Sequence, residues 1–479
     1  MEINFIGHAS IFVKTQDCQI LMDPVLWDPH QEGLFDICPQ REVIHENIPE
    51  FDLLIISHQH LDHFHIRSLA YLPKTVDVLI PEDKLIEDCL RQLGYSHIYP
   101  LKDFNKVKFG ATSLLTTRSE NRVPEYGVIF ADASGVFWNQ VDTIVSLNTI
   151  RFIKSRYEKI NFLLAMWQPM LEMNYQMNMS LNFPDSIYSK ILQTISTIQP
   201  QAVAPGSNGF RCIGGSAWLN KILFPVTTER FCHDVKNACP EIGNNVFPLY
   251  PGDVLTFDGG EFSHLKGKCP FVHKISDNRE DLDFSPVRVG NEMIDNNPDN
   301  YHLDEMKEAI CKEISVNLPK FITKNRNVLF IEHCRWQVIY QLEIVFPDGS
   351  KIWNFDFSQT EIQAQEGRNP LANLFTYMTA SSLYGIFQGL KGWDYANLGG
   401  YYRGFQKLYI PTPQGITKPD EQERISEPLA LKFPYREVLK RILQNEIAQW
   451  SHENNNRAKP QEPRTLMMQM GNTLVKLAR

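Results

Sequence analysis

The chain has 479 residues, 43% hydrophobic and 22% charged, which is enough apolar material for more than one core and divides most naturally into two domains. A net charge of −9 speaks against a nucleic-acid role, because phosphate binding needs a basic face. Nine cysteines without one C-x-x-C pair exclude cysteine zinc knuckles and iron–sulfur motifs and read as reduced thiols. No apolar run nears the roughly 20 residues that span a bilayer, and the opening "MEINFIGHAS" has no leader pattern, so a cytoplasmic location is expected.

In chain order, "INFIGHASIFVKT" and "QILMDPVL" read as strands joined at "QDC", and "FDLLIISHQHLDH" as a buried strand running into a polar loop. "TVDVLIPEDKLIEDCLRQLG" predicts a strand and then an amphipathic helix. Leu85, Ile86, Cys89, Leu90 and Leu93 form its apolar stripe, and Gly94 stops it. "HIYPL", "KVKFGATSLLTT" and "YGVIFADASGVFWNQVDT" continue the β series, the last with a hairpin at "DASG". A helix is expected over 185–198 with Asp185 as N-cap, a strand at "QAVAPGSNGF", a helix around 227–238 and a closing strand in "YPGDVLTFDGG". This alternation predicts an α/β catalytic domain over 1–260. Residues 261–300 read as a polar connector. A smaller α+β C-terminal domain is expected over 301–450. It has a helix at 303–316 with Met306, Ile310 and Ile314 on one stripe, a hairpin around "PDGS" and an aromatic-rich helical segment, "NLFTYMTASSLYGIFQGL". The stretches 411–428 and 451–465 read as loops, and 451–479 as a partly mobile tail.

The chemistry concentrates in "IISHQHLDHFHI", where His58, His60, Asp62 and His63 stand as H-x-H-x-D-H. In an extended segment residues i and i+2 point the same way, so His58 and His60 can converge on one cation while Asp62 and His63 serve a second. Imidazoles with carboxylates suit zinc or iron, and two adjacent metals can generate a hydroxide or, as iron, activate dioxygen. A solvated histidine-rich turn is the bland alternative, disfavoured by the buried strand that leads in. His65, one alternation further, reads as a packed histidine.

"IGHASIFVKTQDCQILMDP", "ISHQHLDHFHI" and "WNQVDT" resemble, in order, the opening motif, metal loop and bridging-aspartate motif of the metallo-β-lactamase superfamily. The resemblance implies an αββα sandwich with the metals at the edge between two sheets. It implies that Asp23 supports the metal loop from behind and that Asp142 bridges the metals, with Asp62 and Asp142 in the chemistry. Within the superfamily the chain is most similar to the CMP-N-acetylneuraminate monooxygenase group. "IQPQAVAPGSNGF", "LYPGDVLTFDGG" and "GLKGWDYANLGGYYRGFQ" extend that likeness, although no Rieske C-x-H…C-x-x-H pattern occurs in the chain.

Two departures from the superfamily pattern matter. The third histidine is missing from "TTRSENRVPEYG", where Glu120, 22 residues before Asp142, either substitutes as a harder ligand or is an exposed loop acid. The last histidine is missing from "APGSNGFRCIGG"; His233 is the nearest downstream, either a ligand or a surface helix histidine. His8 is either near the site or a hydrogen-bonded histidine at the sheet edge. The Met-rich segment 166–179 is a lid or packed core. Arg403 and Tyr402, with Tyr395 and Tyr401, either hold a substrate or pack between domains. The leading expectation is a di-iron oxygenase hydroxylating a small or carrier-bound metabolite, with electrons from a separate ferredoxin or reductase. A zinc- or manganese-dependent hydrolase of a phosphodiester, lactone or amide is the alternative, and a degenerate non-enzymatic member the second.

Overall fold

The computed structural model describes residues 1–259, 261–288, 293–419, 425–452, 466–470 and 473–476. Two eight-stranded sheets pack on each other. The first runs Glu261–Leu265, Val254–Asp258, Glu2–Gly7, Ser10–Lys14, Gln19–Met22, Leu53–Ile55, Asp77–Pro81, Ile98–Leu101, and its last four strands are parallel. The second runs Ala202–Pro205, Phe162–Ala165, Gly135–Asn139, Tyr126–Asp132, Thr112–Arg118, Lys106–Phe109, Met467–Met470, Thr473–Lys476.

Alternation along each strand feeds one face into the shared core and turns the other toward helices. Ile20 and Met22 join Phe130, Phe137 and Leu164 between the sheets. Leu21 points the other way, into a layer with Leu69, Ile86 and Leu90. Helices Leu147–Lys154, Asp185–Ile198 and Thr228–Ala238 cover the second sheet. The four layers are the αββα sandwich that the motifs imply, followed by a further α+β region.

Local signals explain most elements. Helix Lys84–Gln92 buries Leu85, Ile86, Cys89 and Leu90. Asp83 caps it by accepting from Leu85 N at 2.8 Å, and Gly94 ends it at φ +95°. The "DASG" hairpin forms, with Asp132 opposite Gly135. Asp185 lies in the first turn of its helix, where its charge suits the dipole, while Pro184 holds the cap position. In the C-terminal region Met306, Ile310 and Ile314 are fully buried against a five-stranded sheet whose central hairpin turns at Phe346 and Gly349.

Three expectations change. "LFTYMT" is a strand, Leu374–Thr379, and the helix starts only at Ala380. Its period-two burial of Leu374, Thr376 and Met378 prevails over the aromatic content. Residues 261–300 are not a free connector: Glu261–Leu265 is the edge strand of the first sheet, and Val272–Ser276 pairs with Gln40–Val43. Within the expected tail, Met467–Met470 pairs with Lys106–Phe109, whereas 453–465, and 420–424 of the other expected loop, lie outside the described residues. Among the described residues no helix is long and apolar enough to cross a membrane.

The C-terminal region is fastened to the sandwich on two sides. Helix Tyr435–Trp450 sets Leu439, Leu443 and Ile447 into the first sheet's outer layer. Arg436 donates to Asp83 at 2.8 Å, and the Arg67 guanidinium lies between Trp27 and Trp450, 4.7 and 4.3 Å from their ring centres. On the other side, Gln31, Glu32 and Gly33 form a turn of three successive positive-φ residues. Glu32 reaches out of it to accept from Gly392 N at 2.7 Å. Burial pushes Glu32 up to about 8, against the opposing Gly392 N–H and with help from nearby Asp394.

A carboxyl that keeps its proton to about pH 8 when folded, against an ordinary value of 4.5, stabilises the fold fully below pH 4.5 and loses that contribution as pH rises to about 8. Glu32→Gln is expected to flatten the pH dependence of unfolding across that window, by up to about 1.4 kcal/mol per pH unit. Denaturant titrations of both proteins through the window check it; parallel curves would refute the burial of this charge.

Candidate metal centre

The cluster forms where strands of both sheets end. Asp23 follows Gln19–Met22, Ser57 and His58 follow Leu53–Ile55, Asp142 follows Gly135–Asn139, and Ser207 follows Ala202–Pro205. His8, Asp23, Val141 and Asn208 all hold positive φ, at 52°, 44°, 55° and 67°. For a β-branched residue such as Val141 that is an outlier, and such strain collects at functional sites. Gly209 lets the chain pass close to His8, since a Cβ there would sit 3.1 Å from the His8 backbone and press on it.

One chain of hydrogen bonds orients the imidazoles. Asp23, fully buried, accepts from Ser57 N at 2.7 Å and Ser57 Oγ at 2.6 Å, and lies 3.0 Å from His63 Nδ1. His63 therefore carries its Nδ1 proton toward Asp23 and turns Nε2 to Asp142 Oδ2, 3.0 Å away. Ser57 Oγ, which donates to Asp23, accepts from His58 Nδ1–H at 2.9 Å, which leaves His58 Nε2 3.8 Å from Asp142 Oδ2 and 2.9 Å from His60 Nδ1. Asp142 is held by a hydrogen bond from Ser207 Oγ. Asn208 N donates to His8 Nδ1 at 2.9 Å, so the neutral His8 ring keeps its proton on Nε2, 3.2 Å from Asp62 Oδ2.

Donor atoms of His58, His63 and Asp142 lie within 4.8 Å of one another, and so do those of His8, Asp62 and His63. Burial alone would discharge His63, but Asp142 and Asp62 outweigh it and hold the ring protonated well above the ordinary histidine range. Asp62 is driven well below the carboxylate range against its own burial, chiefly by His63 and His8. The positive charge that the proton on His63 supplies between Asp142 and Asp62 is what a metal cation would supply in its place, and the buried His63 Nε2 makes no well-aligned hydrogen bond in spite of its 3.0 Å approach to Asp142 Oδ2. The residues present fit a metal.

The structure brings together His58, His60, Asp62, His63, Asp142, His8 and Asp23. It does not bring in four other sequence-predicted residues. Glu120 is 40% exposed and pairs with Arg118 at 3.4 Å. Its N–H is tied to Ile144 O at 2.9 Å, which turns the side chain outward. The carboxylate of that loop that turns inward is Glu125, buried, accepting from Ser119 Oγ at 2.5 Å and from Asn121 Nδ2 at 2.6 Å. Asn121 also donates to Asp142 O at 3.2 Å. His233 is exposed on helix Thr228–Ala238, beside Asn237 at 2.9 Å. Tyr402 donates to Glu427 at 2.9 Å inside the C-terminal core. Arg403 lies over the Tyr175 ring at 4.7 Å and bonds Asn178, fastening the Met-rich segment rather than facing the cluster.

A cavity of about 340 Å³ opens beside His60, Asp62 and Asp142. Met166 and Met170 form part of its wall, so the Met-rich segment is in part pocket lining. Asp394 and Leu398, from helix Trp393–Leu398 of the C-terminal region, close the far side. Sequence reasoning missed Ser57, Ser207, Gln31, Glu172 and Asp394, although Ser57, Ser207 and Asp394 lay in quoted motifs and Glu172 in the Met-rich segment; in none of them did the residue type or spacing mark a role.

The fold is that of the metallo-β-lactamases, and residues 2–135 match the family model described as beta-lactamase superfamily domain. A Mycobacterium tuberculosis protein whose name describes a Rieske 2Fe-2S iron–sulfur protein is 23% identical over 185 residues, 36% of each chain. A Mycolicibacterium smegmatis protein of similar name is 27% identical over 159 residues, covering 32% of this chain and 30% of that one. The chain thus spans about a third of the length of these curated relatives. Among solved structures, CmlA, a diiron β-hydroxylase from Streptomyces venezuelae, aligns at 14% identity and TM-score 0.37, over 52% of this chain and 53% of that one. An isothiocyanate hydrolase from Delia radicum gut bacteria aligns at 15% identity and TM-score 0.39, over 54% of this chain and all of that one.

Asp23→Asn is expected to cut metal affinity by roughly 10- to 100-fold, because it loosens His63 and Ser57 together. Calorimetric titration with a divalent metal measures it, and unchanged affinity would remove Asp23 from the site. Glu120→Gln is expected to keep the metal content of the parent, whereas His63→Ala is expected to lose it, by elemental analysis.

Proposed function

We propose that this chain is a non-haem di-iron oxygenase that hydroxylates a small or carrier-bound metabolite, with His58, His60, Asp62, His63 and Asp142 holding two divalent metal ions. The donor set carries the reading. Two carboxylates converge on the imidazoles, Glu125 stands behind Asp142, and no cysteine lines the cavity among the described residues. Three imidazoles and two carboxylates, without the further histidines of the superfamily pattern, suit iron or manganese as well as zinc. Iron bound here would supply dioxygen activation.

The chain's own residues then do the rest. Asp23 and Ser57 fix the imidazole tautomers, Ser207 holds Asp142, and His8 with Asn208 holds Asp62. Met166, Met170 and Phe210 keep water from the substrate side. A ferredoxin or reductase would deliver the electrons, and the Rieske wording in the names of the mycobacterial relatives supports a redox setting. The likeness to the CMP-N-acetylneuraminate monooxygenases supports hydroxylation. It does not extend to an anionic nucleotide sugar, since no Lys or Arg lines the cavity among the described residues.

One observation favours zinc- or manganese-dependent hydrolysis instead. Three of the five donors, His58, His60 and His63, are imidazoles, which suit zinc. Elemental analysis of freshly purified protein, followed by dioxygen uptake with reduced ferredoxin, tests the choice. About two irons per chain with uptake is the expected result. Zinc with turnover of phosphodiesters or lactones would replace it with the hydrolase, and a chain that binds no metal after reconstitution would overturn both.

A further inference from the structure

The cavity has a wall that the metal reading leaves unused. Beyond His60, Asp62 and Asp142, its ionisable lining groups are the carboxyls of Glu172 and Asp394. Two acceptor atoms in that wall, Glu172 Oε2 and Gln31 Oε1, are buried without a hydrogen-bond partner. Gln31 is only 3% exposed and is held by the strained left-handed turn. Asp394 uses one oxygen to accept from Tyr435 OH at 2.7 Å. Its helix packs on Glu172–Gln176, so the two carboxyls come from opposite halves of the chain to one space. Leaving buried acceptors unmatched is costly, and a ligand rich in donors relieves that cost.

We propose that this wall is a subsite for a cationic nitrogen on the substrate, a primary ammonium or guanidinium. Glu172 is its charged partner, Asp394 the second carboxylate and Gln31 Oε1 a neutral acceptor. An ammonium brings three donors and no acceptor, which complements a wall of acceptors. A phosphate or carboxylate in the same place would face two carboxylates with no cation beside them. Met166, Met170 and Phe210 take the apolar body. The assignment rests on the reading of this cavity as the active site.

Calorimetric titration of the full chain with phenethylamine and with its neutral isostere, phenethyl alcohol, tests it, with metal content and melting temperature measured on the same samples. The amine is expected to bind at least about tenfold tighter than the alcohol. Glu172→Gln is expected to abolish that preference with metal content and melting temperature unchanged, and Asp394→Asn to reduce it in part. Equal binding, no binding, or a preference that survives Glu172→Gln overturns the subsite. Metal loss in Glu172→Gln also overturns it, by making Glu172 a ligand. His60→Ala separates the two readings: loss of metal with the amine preference retained supports the subsite, whereas full metal content refutes the metal assignment and leaves the amine result to stand by itself.

Discussion

Asp23 is a charge with no exposed surface, on a left-handed backbone, at the end of a central strand. Such a group survives in a core only where hydrogen bonds replace its lost solvation. Ser57 N, Ser57 Oγ and His63 Nδ1 supply three, and each of those donors belongs to the histidine loop. The requirement of one carboxylate thus dictates where the loop sits and which imidazole nitrogens face inward. The left-handed backbone at His8, Val141 and Asn208 is tolerated because the same convergence holds all three.

Around this fixed point the charge is unevenly distributed. Asp62, Asp142, Glu172 and Asp394 face a cavity without a balancing lysine or arginine among the described residues. The proposed divalent pair would offset the inner carboxylates, and a cationic substrate group would offset the outer ones. The C-terminal region therefore contributes more than support. It brings Asp394 and Leu398 to the cavity, and Gly392, next to them, receives Glu32 from the turn that also carries Gln31. Closure of the pocket and docking of the two halves depend on the same few residues.

What could be read from the sequence was what is encoded locally. The H-x-H-x-D-H loop projects from a strand whose alternation fixes direction, and helix Lys84–Gln92 shows its buried stripe directly. Spacing pointed to Glu120 and passed over Glu125, because the tie of Glu120 N to Ile144 O pairs residues distant in sequence. His233 sits on an amphipathic helix whose exposed face spacing alone did not place at the surface. Glu172 lay in the Met-rich segment and Asp394 in "GLKGWDYANLGGYYRGFQ", but neither stretch marks its acid as a binding group; 222 positions of chain separate them, and only folding makes them neighbours. Residues 261–300 read as polar because Val272–Ser276 buries only its first residue and leaves the rest exposed while still pairing with Gln40–Val43.

The return of the last helix and of strand Met467–Met470 to the sandwich has a kinetic meaning. Leu439, Leu443 and Ile447 cover apolar surface laid down by residues 54 to 98, and the late strand extends a sheet begun near residue 106. These contacts close loops of several hundred residues, so the first half, though synthesised early, reaches its native packing only after nearly the whole chain is made. Until then its outer layer and a sheet edge are open, which makes this a protein whose nascent form depends on protection from aggregation.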